Sequence, residues 1–182
     1  SFGVAPQVVS ARSCAHLLNI DKTSFIELGA DRVADAVAAK AIFGAPVVVV
    51  DFGTATNMEV IDKDGVFVGG VIAPGVESSM RSLMSRAALL RAVELEDPGV
   101  AIGRDSSEAI RIGVVSGEAA RVDGLVERIQ AELGYKTKVV ATGGLAHRIA
   151  PLSHTITEVD VELTLQGLRL IYNELKKCDN QR

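Results

Sequence analysis

The stretch from Pro46 to Thr56 reads PVVVVDFGTAT, with four consecutive valines followed by an acidic residue, a phenylalanine, a glycine and two threonines. A short run of β-branched residues is typical of a strand buried on both faces, as in a sheet covered by helices. In open α/β sheets, ligands bind at the edge where such strands end. The polar residues after the valines therefore mark a candidate binding site, although an ordinary Asx-type turn would explain them equally well.

The neighbouring segments extend this pattern into a sheet. Residues 57–62 and 66–73 have strand character, and the sequence Asp-Lys-Asp-Gly at 62–65 predicts the turn of a β-hairpin between them. A second apolar run at 138–142 ends in Gly143-Gly144. Two strands that each end in a glycine-rich turn suggest two places where backbone amides meet a phosphate or a nucleotide. Glycine after a strand is also common in plain turns.

The rest of the chain predicts helices around this sheet. The alanine-rich segment 30–43 is the clearest helix, and no long linker, repeat or low-complexity tract divides the chain. Further helices are expected at 6–18 and 77–90, as two consecutive helices within 106–133, and at 162–175. One more strand is expected at 155–160.

Composition and charge exclude several functions. The chain has 182 residues, of which 48% are hydrophobic and only 4% aromatic, so its core must consist of Ala, Val, Leu and Ile. The formal net charge is −4, and no basic run of the kind that binds nucleic acid is present. The apolar runs are too short to span a bilayer, and no signal pattern begins the sequence. We therefore expect no nucleic-acid partner, no membrane contact and a cytoplasmic location.

The cysteines and histidines do not form a metal or catalytic motif. Cys14 and Cys178 belong to no CxxC pair, so both are expected to be free thiols. The histidines, His16, His147 and His154, are scattered along the chain. His147 is expected on the surface at the start of a helix.

Asp31 and Arg32 follow Gly29 at the start of the alanine-rich helix. A carboxylate in this position can accept the proton of a substrate hydroxyl, and the neighbouring guanidinium can pair with a substrate carboxylate. Acidic residues are also favoured in a first helical turn because they complement the helix dipole. The residues alone leave both interpretations open.

Five motifs, in this order, are similar to those of type III pantothenate kinases. They are LGADRVADAVAA at 28–39, DFGTATNMEVIDKDGVFVGGVIAPG at 51–75, IGRDSSEAIRIGVVSGEAARVDGLVERI at 102–129, ATGGLAHRIA at 141–150 and VELTLQGLRLIY at 161–172. The resemblance implies an α/β fold of the actin-like ATPase (ribonuclease H-like) type, with a mixed sheet flanked by helices. It also implies a homodimeric enzyme that uses ATP to phosphorylate pantothenate, the first step towards coenzyme A.

The same resemblance implies roles for individual residues. Asp31 would be the general base for the pantothenate hydroxyl, and Gly29 and Arg32 would bind the substrate. Asp51 would coordinate a monovalent cation, potassium or ammonium, while magnesium would accompany ATP. Gly53, Thr54 and Thr56 would line the phosphate and substrate site, and Gly143 and Gly144 would border the adenosine.

Ser106 falls where the family has a threonine that reaches the pantothenate site of the partner subunit. A serine keeps the hydroxyl but loses the stiffness of a β-branched side chain. The alternative role for Ser106 is that of a helix N-cap.

Two family features have no match in this sequence. One is a D-x-G-N-T-like turn that grips the ATP phosphates, and the other is a G-P-G-x-K-T-G-like loop, whose place is taken by residues 19–27. We predict that residues 1–27 are a remnant of the first subdomain with its connecting segment, and that residues 28–182 are the C-terminal kinase subdomain. A non-catalytic binding or transcriptional accessory relative, or a dimerisation fragment, stays open as an alternative.

Small residues recur at near-helical spacing within 106–133. They form a stripe of Ala109, Ile110, Gly113, Val114, Gly117 and Ala120. Such a stripe permits close helix approach, and a two-fold axis would let it meet its own copy. The alternative is that the stripe packs against the sheet of its own subunit.

Overall fold

The computed structural model describes residues 7–20, 25, 27–86 and 93–179. Its α-helices are α1 (Ala15–Leu18), α2 (Ala30–Phe43), α3 (Val76–Arg86), α4 (Ser106–Arg111), α5 (Gly117–Leu133), α6 (Ala146–Ile149) and α7 (Leu163–Asp179). Its strands are β1 (Val47–Phe52), β2 (Ala55–Ile61), β3 (Phe67–Pro74), β4 (Lys138–Thr142) and β5 (Glu158–Val159). A π-helical turn, Ile112–Ser116, joins α4 to α5.

The five strands form one mixed sheet in the order β3-β2-β1-β4-β5. β2 is antiparallel to both β1 and β3, which confirms the predicted hairpin. β4 is parallel to both β1 and β5. Because β1 and β4 are adjacent and parallel, their carboxyl ends meet at the same edge of the sheet, with Asp51 beside Thr142.

Each face of the sheet carries its own apolar core, because successive side chains of a strand point to opposite faces. On the face that we call the α2 face, Val47 and Val49 pack with residues of α2 and α7. On the opposite face, the α5 face, Val48, Val50 and Phe52 pack with residues of α5. The prediction that the valine run is buried on both sides is therefore confirmed.

The helix predicted over residues 6–18 is wrong in extent. Residues 11–14 form turns, and the α-helix covers only Ala15–Leu18, while residue 6 lies outside the described residues. Ser10 and Ser13 explain the late start, since the backbone N–H of each donates to the side-chain oxygen of the other, at 3.0 and 3.1 Å. Serine side chains that bond nearby backbone in this way compete with helix formation.

The strand predicted over residues 155–160 is also shorter than expected, because β5 contains only Glu158–Val159. Residues 153–155 bond to helix α5, and among the residues just before β5 it is Thr157 that bonds to β4, through its N–H and hydroxyl. The carboxylate of Asp123 accepts hydrogen bonds from the hydroxyls of Ser153 and Thr155 and from the N–H of His154. These bonds hold the segment against α5, so that its strand pairing with β4 begins later in the sequence than predicted.

The remaining boundaries agree with the sequence to within a few residues. The alanine-rich helix has the predicted ends, and the predicted strand at 138–142 is β4. The helix predicted over 77–90 is α3 as far as Arg86, and its last predicted residues lie outside the described part. The two helices predicted within 106–133 are α4 and α5, joined without a break by the π-helical turn.

Three smaller expectations concern single residues and membrane contact. Cys14 is a buried free thiol, whereas the side chain of Cys178 lies outside the described part of the structure. His147 is exposed in the short helix α6, as expected. Among the described residues, no helix is both long and apolar enough to cross a membrane.

Candidate active site

Polar and acidic side chains gather on the α2 face, at the edge where β1 and β4 end. The first turn of α2 contributes Asp31 and Arg32, and the strands contribute Asp51, Glu59 and Thr142. Apart from this cluster and the buried Asp35 of α2, the core on this face is formed mainly by apolar side chains. Burying several polar groups together costs folding free energy, and such clusters concentrate at functional sites.

Asp31 is exposed at the start of α2, and Gly29 is the N-cap of this helix. One carboxylate oxygen of Asp31 accepts the backbone N–H of Arg32 at 2.8 Å. A Cβ atom at position 29 would lie 2.5 Å from that same oxygen, so a larger residue there would shift the Asp31 carboxylate from this position. This contact fixes the carboxyl group and leaves its second oxygen available to a substrate.

Asp51 lies at the end of β1, half-buried, between the two glycine-rich turns. A Cβ atom at Gly53 would lie 3.6 Å from the Asp51 carboxylate, and a Cβ atom at Gly143 would overlap it. Gly143 also has φ +91° and would, with a Cβ atom, lie 2.7 Å from the carbonyl oxygen of Phe52. Glycine is therefore required at position 143, and both turns converge on one carboxylate.

The pKa of Asp51 is raised, first by burial and then by the negative charge of Asp31. Thr142 stands beside it in the register, and its hydroxyl is buried with no hydrogen-bond partner among the described residues. A half-buried carboxylate next to an unpartnered hydroxyl supplies oxygen donors of the kind that bind hard cations. Within the described ranges, no group of three or more His, Cys, Asp or Glu side chains is arranged to hold a metal ion.

Arg32 is held by Glu59, a residue that the sequence analysis did not select. The Arg32 Nε donates to Glu59 Oε1 at 2.6 Å, and the Glu59 side chain is fully buried. Burial raises the pKa of Glu59, and the hydrogen bond and charge of Arg32 oppose that increase and favour the ionised carboxylate. Arg32 also lines a groove of 580 Å³ beside the edge strand β3. The one feature of the sequence that could have identified Glu59 is that an acidic residue stands between Met58 and Val60 inside a predicted strand.

Thr54 and Thr56 were predicted to border the phosphates, and the structure separates them. Thr54 lies exposed in the turn after β1, where its carbonyl oxygen accepts the N–H of Gly75 and the hydroxyl of Ser78. Thr56 lies on the α5 face, and its buried hydroxyl donates to Glu118 at 2.7 Å. In this structure the hydroxyl of Thr56 therefore faces away from the cluster on the α2 face.

Ser106 and Gly144 lie outside the cluster as well. Ser106 is the exposed first residue of α4, and the N-cap is Asp105, whose carboxylate accepts the N–H of Glu108 at 2.8 Å. The alternative role of Ser106 as an N-cap is therefore wrong. Gly144 follows Gly143 and is exposed. The structure thus brings together Gly29, Asp31, Arg32, Asp51, Gly53 and Gly143.

A mixed sheet with helices on both faces, and a polar edge where its central parallel strands end, is the arrangement of the actin-like ATPase fold. Two solved structures of that kind align with the chain. One is described as a Baf family transcriptional activator from Campylobacter jejuni, with a TM-score of 0.59 and 23% identity over 85% of this chain and 68% of that one. The other is an activator of 2-hydroxyisocaproyl-CoA dehydratase from Clostridium difficile with bound ADPNP, with a TM-score of 0.53 and 16% identity over 84% of this chain and 69% of that one.

Sequence comparison identifies the family. The model of the type III pantothenate kinase family matches residues 1–128. A type III pantothenate kinase from Thermomicrobium roseum is 48% identical over 151 residues, which cover 83% of this chain. The chain belongs to the type III pantothenate kinase family. It spans 58% of the length of that relative.

Proposed function

We propose that this protein phosphorylates pantothenate with ATP, giving 4'-phosphopantothenate and ADP in the first step of coenzyme A synthesis. The observation that carries the proposal is the juxtaposition of Asp31 and Arg32 with Asp51 and the two glycine turns. The relatives named as type III pantothenate kinases support the substrate assignment.

In this proposal, Asp31 is the general base. The free oxygen of its carboxylate accepts the proton of the pantothenate hydroxyl while that hydroxyl oxygen bonds to the γ-phosphorus of ATP. The bond between the γ-phosphorus and the bridging oxygen breaks, and that oxygen leaves with ADP. Phosphoryl transfer needs positioning and charge neutralisation more than covalent participation of the protein, so an exposed, anchored carboxylate is sufficient.

Arg32 would bind the carboxylate of pantothenate, with Gly29 beside it. A guanidinium presents planar pairs of N–H donors that match a carboxylate. Arg32 uses its Nε donor on Glu59, which leaves other N–H donors for a substrate. Asp51 would hold potassium or ammonium, which would neutralise charge near the phosphates. Magnesium would bind mainly to the phosphates of ATP, as is common for this ion.

The nucleotide would lie along the glycine-rich turns, with Gly53 and Thr54 near the phosphates and Gly143 and Gly144 near the adenosine. Exposed backbone at these turns supports this placement. Thr56 would act indirectly, because its hydroxyl is bonded to Glu118. We also propose a cytoplasmic location, which the buried free thiol of Cys14 supports.

We further propose a homodimer built on α4, the π-helical turn and the start of α5. Ala109, Gly113 and Ala120 of the small-residue stripe are exposed, whereas the face that packs on the sheet contains Val115 and Val122. Val114 of the stripe packs against the core on the α5 face, so the part of the stripe that is open to a partner is Ala109, Gly113 and Ala120. Ser106, exposed at the start of α4, would reach the pantothenate site of the partner subunit.

The Asp31→Asn variant tests the catalytic role. Asparagine keeps the shape of the side chain but cannot accept the proton, so kcat should fall by about 10²- to 10⁴-fold with little change in thermal stability. Steady-state measurement of ADP release by the full-length protein, with pantothenate and ATP, checks this.

Asp64→Asn, in the exposed hairpin turn, is the matched control and should retain wild-type turnover. Near-normal turnover of Asp31→Asn would remove Asp31 as the base. The alternative of a non-catalytic or transcriptional accessory relative predicts that even the wild-type full-length protein releases no ADP.

A further inference from the structure

Glu59 and Arg32 form an ion pair that is incomplete on both sides. The pair is joined through one contact, Arg32 Nε to Glu59 Oε1, at 2.6 Å. Glu59 Oε2 is buried without a hydrogen-bond partner among the described residues. A purely structural buried pair is expected to use both carboxylate oxygens, because an unpartnered buried oxygen costs free energy.

The guanidinium of Arg32 retains most of its donors. It has five N–H groups, and within the described part of the chain its side chain makes no hydrogen bond apart from the Nε contact with Glu59. The side chain is 16% exposed and lines the groove beside β3. The edge formed by Nη1 and Nη2 is therefore the part left for a ligand, and this planar two-pronged edge matches a carboxylate.

Strand β3, against which the guanidinium of Arg32 lies, also helps to fix the position of that guanidinium. Gly70 pairs with Glu59 across β2 and β3, and a Cβ atom at Gly70 would lie 2.8 Å from Arg32 Nη2. The absence of a side chain at position 70 lets the guanidinium lie close against β3. Glu59 holds one end of the guanidinium, and the flat glycine surface supports the other.

We infer that Glu59 is a positioning residue for substrate selection: it holds Arg32 so that the Nη1–Nη2 edge receives the carboxylate of the substrate. This inference rests on the proposed function, in which Arg32 binds the carboxylate of pantothenate. It explains why the enzyme would prefer this acid to an uncharged analogue. Glu59 itself does not contact the reacting atoms. Its effect on the substrate passes entirely through Arg32.

The test uses the Glu59→Gln variant of the full-length protein with two substrates. One is pantothenate, and the other is its analogue in which a primary alcohol replaces the carboxylate. Glutamine keeps the volume but loses the charge that holds Arg32, so KM for pantothenate should rise on the order of ten-fold or more. KM for the alcohol and kcat for both substrates should change little.

Glu118→Gln is the matched control. Glu118 is another buried carboxylate, and it pairs with an arginine of the same helix, Arg121 of α5. It should lower stability without changing the ratio of the two KM values. In the double variant Arg32→Lys with Glu59→Gln, the Glu59 substitution should add little to the effect of Arg32→Lys on KM for pantothenate. The double variant keeps the test valid even if Glu59→Gln alone is less stable. An effect of Glu59→Gln that came only from lost stability would add to the effect of Arg32→Lys.

Equal increases of KM for acid and alcohol, or additive effects in the double variant, would overturn the inference while leaving the kinase assignment intact. A wild-type protein that turns over neither substrate would overturn the proposed function, and the inference with it.

Discussion

At the scale of single residues, Asp35 has a strongly perturbed carboxyl group whose local partners are clear. It is buried in α2 one turn after Asp31, and its Oδ1 accepts the hydroxyl of Thr164 on α7 at 2.6 Å. Burial raises the pKa of Asp35 to about 7, the Thr164 hydrogen bond lowers it, and the charges of Asp51 and Asp31 raise it further. The folded protein therefore holds a proton on Asp35 that the unfolded chain releases near pH 4.

This difference makes stability depend on pH in a defined direction. The contribution of Asp35 is fully present below about pH 4 and is lost as the pH rises to about 7, on the order of 2–4 kcal/mol in total. The Asp35→Asn variant cannot ionise and still accepts the Thr164 hydroxyl, so its unfolding free energy should be higher than that of the wild type at pH 8. Denaturant unfolding from pH 4 to pH 8 measures this.

Asp123→Asn is the control with the opposite sign. Burial alone would raise the pKa of Asp123, but hydrogen bonds from Ser153, Thr155 and the N–H of His154 lower it overall. Its contribution is present above about pH 4 and is lost as the pH falls, so Asp123→Asn should be less stable than the wild type at pH 7. If Asp35→Asn showed the same pH slope as the wild type, Asp35 would not be the protonated group.

The sequence allowed Asp31, Arg32 and Asp51 to be selected because each stands at the boundary of a recognisable helix or strand. Glu59 could not be selected in this way. It sits inside a strand, and its partner Arg32 is 27 residues away, so only the sheet register and the position of α2 bring the two together. The same limit applies to Thr56, because its orientation towards α5 depends on which face of β2 is covered.

At the scale of elements, the α2 face depends on close packing of α2 against α7. Gly167 of α7 is buried, and a Cβ atom there would lie 2.0 Å from the carbonyl oxygen of Ala34. Because the atom that it would meet is backbone, no side-chain rotation can relieve the contact. The helices approach this closely only because position 167 is a glycine.

The Gly167→Ala variant should therefore be less stable by about 1–3 kcal/mol, since the two helices must separate. Gly124→Ala is the control: Gly124 also lies inside a helix, α5, but a Cβ atom there meets nothing within 4 Å. That substitution should stabilise the protein by about 0.5–1 kcal/mol through helix propensity. Thermal unfolding compares the two, and equal effects would contradict the close-packing account.

Elements were predictable where local preference and tertiary environment agree. The ends of α2 follow from an alanine-rich run between Gly29 and Gly44, and β1 follows from its valines. The predictions failed at residues 6–18 and 155–160, where side-chain hydrogen bonds replace backbone pairing. Those bonds depend on rotamers and on distant partners such as Asp123, which a pattern of apolar residues does not encode.

At the scale of the whole molecule, the exposed stripe near α4 is the surface from which we propose the dimer. A groove of 540 Å³ runs beside it, lined by Gly113, Gly117 and Ala120 together with Val100. Ile102, close in sequence to the start of α4, is 83% exposed. An apolar surface of small residues is typical of a place where a second helix packs.

The Gly113→Leu variant tests this surface. A Cβ atom at Gly113 meets nothing within 4 Å, so leucine should not disturb the fold of the subunit but should block a partner helix. Sedimentation at micromolar concentration should show dimers for the wild type and monomers for Gly113→Leu, with unchanged circular dichroism.

Gly124→Leu is the matched substitution, at another open glycine outside the stripe, and it should remain dimeric. A dimeric Gly113→Leu variant, or a monomeric wild type, would place the interface elsewhere or remove it.

The most direct measurement for the molecule as a whole is transfer of the γ-phosphate of labelled ATP to pantothenate by the wild-type full-length protein. We expect labelled phosphopantothenate and ADP to form in equal amounts, and neither to form in the absence of pantothenate. Release of inorganic phosphate without labelled phosphopantothenate, or no consumption of ATP when both substrates are present, would contradict it.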